Sequence, residues 1–236
     1  LFPSKTEISN NNIFLKNYDK LIDICPSRFD AQWLNILSND VYKIKNLKSK
    51  KKNIKLLFFL EKFVSSSFEY DSKVKNIENK TIKILKILKQ TNNLQVIIKA
   101  HPSMFPNRKN FIYLNQYSEQ IYYDDKITSF ELIKMCDIVV GINTSALIDA
   151  FLLNKKIIIL NFLRRYYKQN RNKLIFDNLS GKYIVNSSLD FIDVLNNYIN
   201  NQDFSFEKYN KEFINFVLKD FYNNPMKIIS SKIVNT

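Results

Sequence analysis

Three short polar stretches in this 236-residue chain carry side chains that can handle an anion, and each comes after an apolar run. The most interpretable is Gly141-Ile-Asn143-Thr144-Ser145, which opens an expected helix. A helix N-terminus offers unpaired backbone N–H groups and the positive end of a dipole, which suits a phosphate. Asn143, Thr144 and Ser145 would add amide and hydroxyl donors, and Gly141 would permit close backbone approach. The same residues would equally serve as an ordinary N-cap, so both readings stay open. The second stretch is Lys99-Ala-His101-Pro102. Lys99 lies two positions before His101, on the same side of a strand. A cation and an imidazole projecting past a strand end could grip a diphosphate or protonate a leaving phosphate, and a surface turn is the plain alternative. The third stretch is Ser65-Ser66-Ser67.

Other chemistries fit poorly. One histidine and two separated cysteines, Cys25 and Cys136, do not suggest a zinc site or a disulfide framework. With only two glycines, Gly141 and Gly181, neither phosphate-binding glycine motif can be written. A Ser-His-Asp triad through His101 would lack a nucleophile elbow. Asp124 and Asp125 could pair for acid–base work or hold a cation, but they read more simply as an exposed turn.

The elements that must position these residues alternate. Ile54 to Leu60 reads as a buried strand, and Ile77, Thr81, Ile84, Leu85 and Leu88 recur at helical spacing with lysines 80, 83, 86 and 89 opposite. Leu94 to Ile98 is the next strand. Thr128 to Met135 reads as a helix, with Thr128 and Glu131 as a capping box. Asp137 to Val140 is a strand, Ser145 to Leu153 a helix, Lys156 to Leu160 a strand and Tyr183 to Val185 a last short strand. Ser187 or Ser188 caps a helix to about Ile199, and another is expected from Phe206 to Phe221. Residues 103 to 127 are expected to hold a short irregular strand or a lid-like loop. Before the alternation, Leu21 to Ile24 reads as a short strand and Phe29 to Leu37 as a helix. This pattern predicts an α/β fold with a Rossmann-like, doubly wound parallel sheet. The expected division is a leading segment or end of a preceding domain over 1–53, a Rossmann-like domain over 54–205, and a C-terminal helix over 206–236 packing back on that domain or its partner. The chain opens on Leu rather than Met, which reads as a piece of something longer.

Composition adds bounds. At 45% hydrophobic and 25% charged the chain can bury a real core. Its longest apolar runs, Leu56 to Leu60 and Ile157 to Leu160, fall far short of the roughly 20 residues of a membrane span. The net charge of +14 is almost all lysine, set among abundant Asn and Ile. A base-composition bias accounts for that better than nucleic-acid binding, where Arg is usually favoured for bidentate contacts.

A family resemblance rests on three segments. They are Val96-Ile-Ile-Lys-Ala-His-Pro102, then Cys136-Asp-Ile-Val-Val-Gly-Ile-Asn-Thr-Ser-Ala-Leu-Ile-Asp-Ala150, then Leu152-Leu-Asn-Lys-Lys-Ile-Ile-Ile159. Together they resemble the C-terminal, donor-binding half of GT-B-fold transferases that build bacterial surface polysaccharides, such as CDP-glycerol glycerophosphotransferases and capsule or Kdo transferases. Ile24-Cys-Pro-Ser-Arg-Phe29 resembles the G-S-P-R-F junction of related proteins. The chain departs from the family pattern at Ala100, where Pro is usual, at Lys155-Lys156, where Pro follows Lys, and at Cys25, where Gly is expected. The resemblance covers roughly residues 20 to 165. It implies His101 as the catalytic residue, and Lys99, Ser65, Ser66, Asn143, Thr144, Ser145, Asp149 and Arg164 as donor-binding residues. It further implies a nucleotide-activated sugar or polyol phosphate donor, a saccharide or lipid-linked acceptor, and no metal or cofactor. A cytoplasmic location with peripheral membrane association is expected, without nucleic acid. The rival readings are a sugar-nucleotide epimerase on the same fold, a basic nucleic-acid-binding module and an inactive scaffold domain.

Overall fold

The computed structural model describes residues 54–61, 72–104, 108–123, 127–164, 181 and 183–200. Within them the chain runs β1 (Ile54–Phe59), α1 (Ser72–Gln90), β2 (Leu94–Lys99), β3 (Gln120–Tyr122), α2 (Ser129–Met135), β4 (Ile138–Gly141), α3 (Ala146–Leu152), β5 (Lys156–Leu160), α4 (Asn161–Arg164), β6 (Ile184–Val185) and α5 (Ser188–Ile199). The strands form one six-stranded sheet in the order β3-β2-β1-β4-β5-β6, and every pairing is parallel. The expected doubly wound parallel sheet is borne out. The expected strand at 21–24 and the helices at 29–37 and 206–221 lie outside the described residues.

Parallel strands need long crossovers, and these place helices on both faces, so the buried stretches Leu56–Phe59, Val96–Ile98 and Ile157–Leu160 are apolar on both faces rather than alternating. In β1, even-numbered Leu56 and Phe58 face α1 and α5, where they meet Ile84, Leu85, Leu88, Phe191 and Leu195. Odd-numbered Leu57 and Phe59 face α2 and α3, where they meet Leu132, Ile133, Leu147 and Phe151. The period-2 alternation of strand side chains thus splits one apolar run between two cores. On α1 the helical period does the same job. Ile77, Thr81, Ile84, Leu85 and Leu88 are buried, while Lys83, Lys86 and Lys89 stay exposed.

Caps and turns follow the sequence closely. Thr128 Oγ1 accepts from the Glu131 amide, and the Glu131 carboxylate accepts from the Thr128 amide, so the capping box is complete. Ser187 caps α5 by accepting from the Asp190 amide. Asn93 and Asn154 take φ of 60° and 52° in the turns that follow helices α1 and α3. Asparagine tolerates this left-handed region better than most residues, which suits a chain with two glycines. Residues 103–127 contain the short edge strand β3, preceded by 3-10 turns at Pro102–Met104 and Arg108–Tyr117.

Cys136 joins α2 to β4 and is fully buried beside Leu132 and Val139. Burial pushes its thiol pKa up to about 12, so almost no thiolate forms at neutral pH. In a Cys25→Ser variant, Cys136 is expected to react with a maleimide only as fast as the protein unfolds. Rapid labelling under native conditions would contradict the packing.

Candidate functional site

The direction of winding reverses between β1 and β4. From β1 the chain crosses to β2 and β3 on one side, then returns to β4 and continues to β5 and β6 on the other. The crossovers on the two sides leave a crevice between the carboxyl ends of β1 and β4, the usual ligand position in such sheets. Register puts the three relevant strand ends level. Phe59 pairs with Lys99, and Phe58 pairs with Val140.

At the end of β2, Leu60 donates its amide to the Lys99 carbonyl, and Ala100 donates to Tyr122. The chain then turns, with Met104 donating to the His101 carbonyl at 2.8 Å. His101 is exposed at this turn, and Lys99 is 5% exposed. The Lys99 ammonium donates to the Ile127 carbonyl at 3.2 Å, just before α2. One of the three Lys99 N–H donors is thus directed to backbone, while His101 lies at the exposed turn. A buried ammonium needs a partner, and the backbone of the α2 approach provides one.

At the β4–α3 turn, where the sequence leaves both an N-cap and a phosphate cradle open, several hydrogen bonds close within the turn. Helix α3 has seven residues, and Ser145 at its N-cap makes no side-chain capping bond. Thr144 Oγ1 instead accepts from the Ala146 amide at 3.3 Å. The Leu147 and Ile148 amides go to the Thr144 and Ser145 carbonyls. Several of the N–H groups that might have met an anion are thus used inside the turn. Gly141 likewise has a structural reason: a Cβ there would lie 3.2 Å from both methyl carbons of Leu147. Its lack of a side chain lets α3 pack tightly on β4, the role of close helix–strand approach rather than approach to a ligand.

Sequence reasoning missed Glu61. It follows β1 after Leu60, and its Oε1 accepts from the Asn143 amide at 3.0 Å. The carboxylate thereby ties the end of β1 to the turn after β4. Burial raises its pKa above the ordinary 4.5, and the Asn143 hydrogen bond opposes that shift. The available signal was a single carboxylate placed directly after the apolar run Leu56 to Leu60, which is an expensive position for a charge with no purpose.

Asp149 is 8% exposed on α3, among Leu147, Ile148, Ala150 and Phe151. Arg164 ends α4 after β5, and nothing further is described of its side chain. Ser65, Ser66, Asp124 and Asp125 lie outside the described residues. The structure thus brings His101, Lys99, Asn143, Thr144 and Ser145 to one edge of the sheet. Among the described residues no group of three or more His, Cys, Asp or Glu side chains could hold a metal ion, and no helix is long and apolar enough to cross a membrane.

An all-parallel sheet in this order, with polar residues at the reversal, defines a Rossmann-like α/β domain of the kind found in GT-B-type transferases. Particular solved structures share it. A variant of the wall teichoic acid polymerase TagF is 14% identical at a TM-score of 0.55, covering 99% of this chain and 56% of that one. The TagF structure soaked for 30 minutes with CDPG is 12% identical at a TM-score of 0.51, covering 98% and 54%. KpsC from Thermosulfurimonas dismutans, a beta Kdo 2,4 transferase, is 10% identical over 50% of this chain and 36% of that one, at a TM-score of 0.34. The chain spans a little over half the length of the TagF structures it matches. At such identities the likeness to TagF is one of fold. No family model and no curated protein matches the chain.

The raised pKa of Glu61 sets a pH dependence whose sign can be worked out. The folded state keeps this proton to a higher pH than the unfolded chain does. Its contribution to stability is therefore fully present below the unfolded pKa of about 4.5 and is lost as pH rises through the folded value. Glu61→Gln removes that loss while keeping an oxygen that can accept from Asn143. Thermal melts from pH 4 to 8 should show the variant gaining on wild type as pH rises, then levelling off. A constant difference would mean that Glu61 titrates as it does in the unfolded chain.

Proposed function

We propose that this chain is the donor-binding part of a GT-B-type transferase. It binds a nucleotide-activated sugar or polyol phosphate and serves the assembly of a surface polysaccharide of capsule, lipopolysaccharide or teichoic-acid type. The observation that carries the reading is the reversal of winding between β1 and β4, with the His101 turn and the β4–α3 turn on the same edge. The motif resemblance across residues 96–159 supports it, and so does a shared fold with a wall teichoic acid polymerase that was soaked with CDPG.

In this reading the nucleotide lies along the crevice, with its diphosphate toward His101. The exposed imidazole donates a hydrogen bond to a phosphate oxygen. When the bond to the transferred group breaks, it gives its proton to the departing nucleotide phosphate. Thr144 and Ser145 add hydroxyl donors at the neighbouring turn. Lys99, held under the edge by Ile127, contributes a fixed positive charge close to where the leaving charge develops. Asp149 has a supporting role from within α3, and Ser65, Ser66 and Arg164 complete the set of donor-binding residues that the resemblance implies. The acceptor is a saccharide or a lipid-linked chain, bound in part by protein outside this domain. The domain works on the cytoplasmic side of the membrane, peripherally attached.

Calorimetric titration with CMP, CDP, UDP, GDP and their sugar conjugates tests the assignment. One nucleotide should bind saturably to wild type, and His101→Ala should weaken it about tenfold, the value of one charge-assisted hydrogen bond at ~1.4 kcal/mol. Absence of binding to every nucleotide by the folded protein would reduce the resemblance to shared ancestry.

A further inference from the structure

We propose that the outer face of α1, with Ile112 beside it, docks on the anionic surface of a lipid bilayer. This rests on the reading above for its purpose: it gives the peripheral attachment a place on the molecule and sets how the donor site meets a lipid-linked acceptor.

Lysines are unevenly placed on this chain. Helix α1 carries six of them (73, 75, 80, 83, 86 and 89) and one carboxylate, Glu78. Among the described residues every exposed lysine, namely Lys75, Lys83, Lys86 and Lys89, lies on this helix. At 3.6 residues per turn the four fall within an arc of about 120°. That arc lies opposite the buried Ile77, Ile84, Leu85 and Leu88. Helix α5 covers the same side of the sheet, yet it has no lysine and two aspartates, with Asp193 exposed. A base-composition bias adds lysine to every wet face alike. It does not gather lysines on one helix and leave the other acidic.

The carboxylates near this face are engaged. Glu78 accepts from the Tyr113 hydroxyl, and Glu119 pairs with Lys89 at 3.8 Å. Among the described residues no carboxylate pairs with Lys75, Lys83 or Lys86. Tyr113 belongs to the 3-10 segment Arg108–Tyr117, which its bond to Glu78 holds against α1. The same segment presents Ile112 at 60% exposure, with Tyr113 and Tyr117 half-buried on the core next to it. Lysines beside an exposed aliphatic side chain and tyrosines make an interfacial surface. The ammonium groups meet lipid phosphates, their stems cover apolar surface, and Ile112 enters the headgroup boundary. Lysine favours this partner over nucleic acid, because its compact charge suits a fluid array of headgroups, whereas base edges call for planar, bidentate donors.

The direction of α1 gives the contact a consequence for the site. The helix returns the chain from the carboxyl end of β1 to the start of β2. Lys75 therefore lies toward the edge that bears His101, and Lys86 lies away from it. Docked through this face, the sheet lies along the membrane and the site edge opens sideways, where a lipid-linked acceptor can approach.

Flotation of the 236-residue chain with vesicles is the test. Wild type should float with phosphatidylcholine containing phosphatidylglycerol, not with phosphatidylcholine alone, and raised salt should release it. Lys75→Gln, Lys83→Gln and Lys86→Gln combined should weaken binding about a hundredfold, several-fold for each lysine. Arginine at the same three positions should restore it. All three side chains are exposed, so the thermal melts of these variants should match wild type. In a Cys25→Ser background, an environment-sensitive dye on Ile112→Cys should shift to the blue on vesicles, and one on Asn196→Cys of α5 should not. Undiminished binding by the glutamine variant, or a blue shift at Asn196→Cys alone, overturns the surface. So does wild type that ignores both vesicles, and if it holds single-stranded RNA through the same lysines, the face is a nucleic-acid surface instead. Nucleotide titration separates the two levels. Nucleotide binding without vesicle binding leaves the donor site standing and removes this surface. Vesicle binding through α1 without any nucleotide binding keeps the surface, and the donor reading fails.

Discussion

Both faces of β1 must be covered, and the rest of the fold follows from that constraint. The strand is apolar from Leu56 to Phe59 and pairs in parallel on both edges, with β2 and with β4. A strand in that position cannot turn either face to water, so helices have to lie on both sides of the sheet. Crossover connections between parallel strands are right-handed, so covering both faces requires the chain to wind outward from β1 in two directions. The reversal that results leaves the crevice. The site is therefore a by-product of burying Leu56, Leu57, Phe58 and Phe59.

Glu61 shows what this arrangement demands of polar residues at its rim. Two positions separate it from Phe59, yet it carries a charge where the sheet has just ended. Bonding to Asn143 compensates part of the desolvation, and its pKa remains raised because the compensation is incomplete. Lys99 solves the equivalent problem with the Ile127 carbonyl. These two bonds tie Glu61 after β1 to the turn after β4, and the end of β2 to the approach to α2. The edge is thus preorganised by its own charged residues before any ligand arrives.

Much of this was legible from residues alone. Helical spacing located α1, the Thr128–Glu131 pair located the start of α2, and continuous apolar runs located β1, β2 and β5, because each depends on local periodicity or a local cap. The site was legible in position and less so in detail. His101 and the Asn143-Thr144-Ser145 turn do share an edge, since strand ends in a parallel sheet must. The sequence could not reveal that Lys99 would bend back to Ile127, or that Thr144 rather than Ser145 would bond the first helical amide. Those choices depend on contacts across 28 residues of chain or on turn geometry. Glu61 was overlooked because its partner is 82 positions away. Gly141 was read as room for a ligand, whereas the atom that needs the room belongs to Leu147.

The lengths of the outer strands have a consequence for behaviour in solution. The stretches best suited to uncontrolled strand association, Leu56 to Leu60 and Ile157 to Leu160, belong to β1 and β5 inside the sheet. Among the described residues its margins are β3 and β6, of three and two residues. An open strand edge recruits other chains through a row of unpaired backbone groups, and a row this short offers little to bind. The described margins are thus guarded against lateral growth into fibrils. Any tendency to aggregate should appear when the central strands come apart, and concentrated samples should remain clear up to the onset of unfolding.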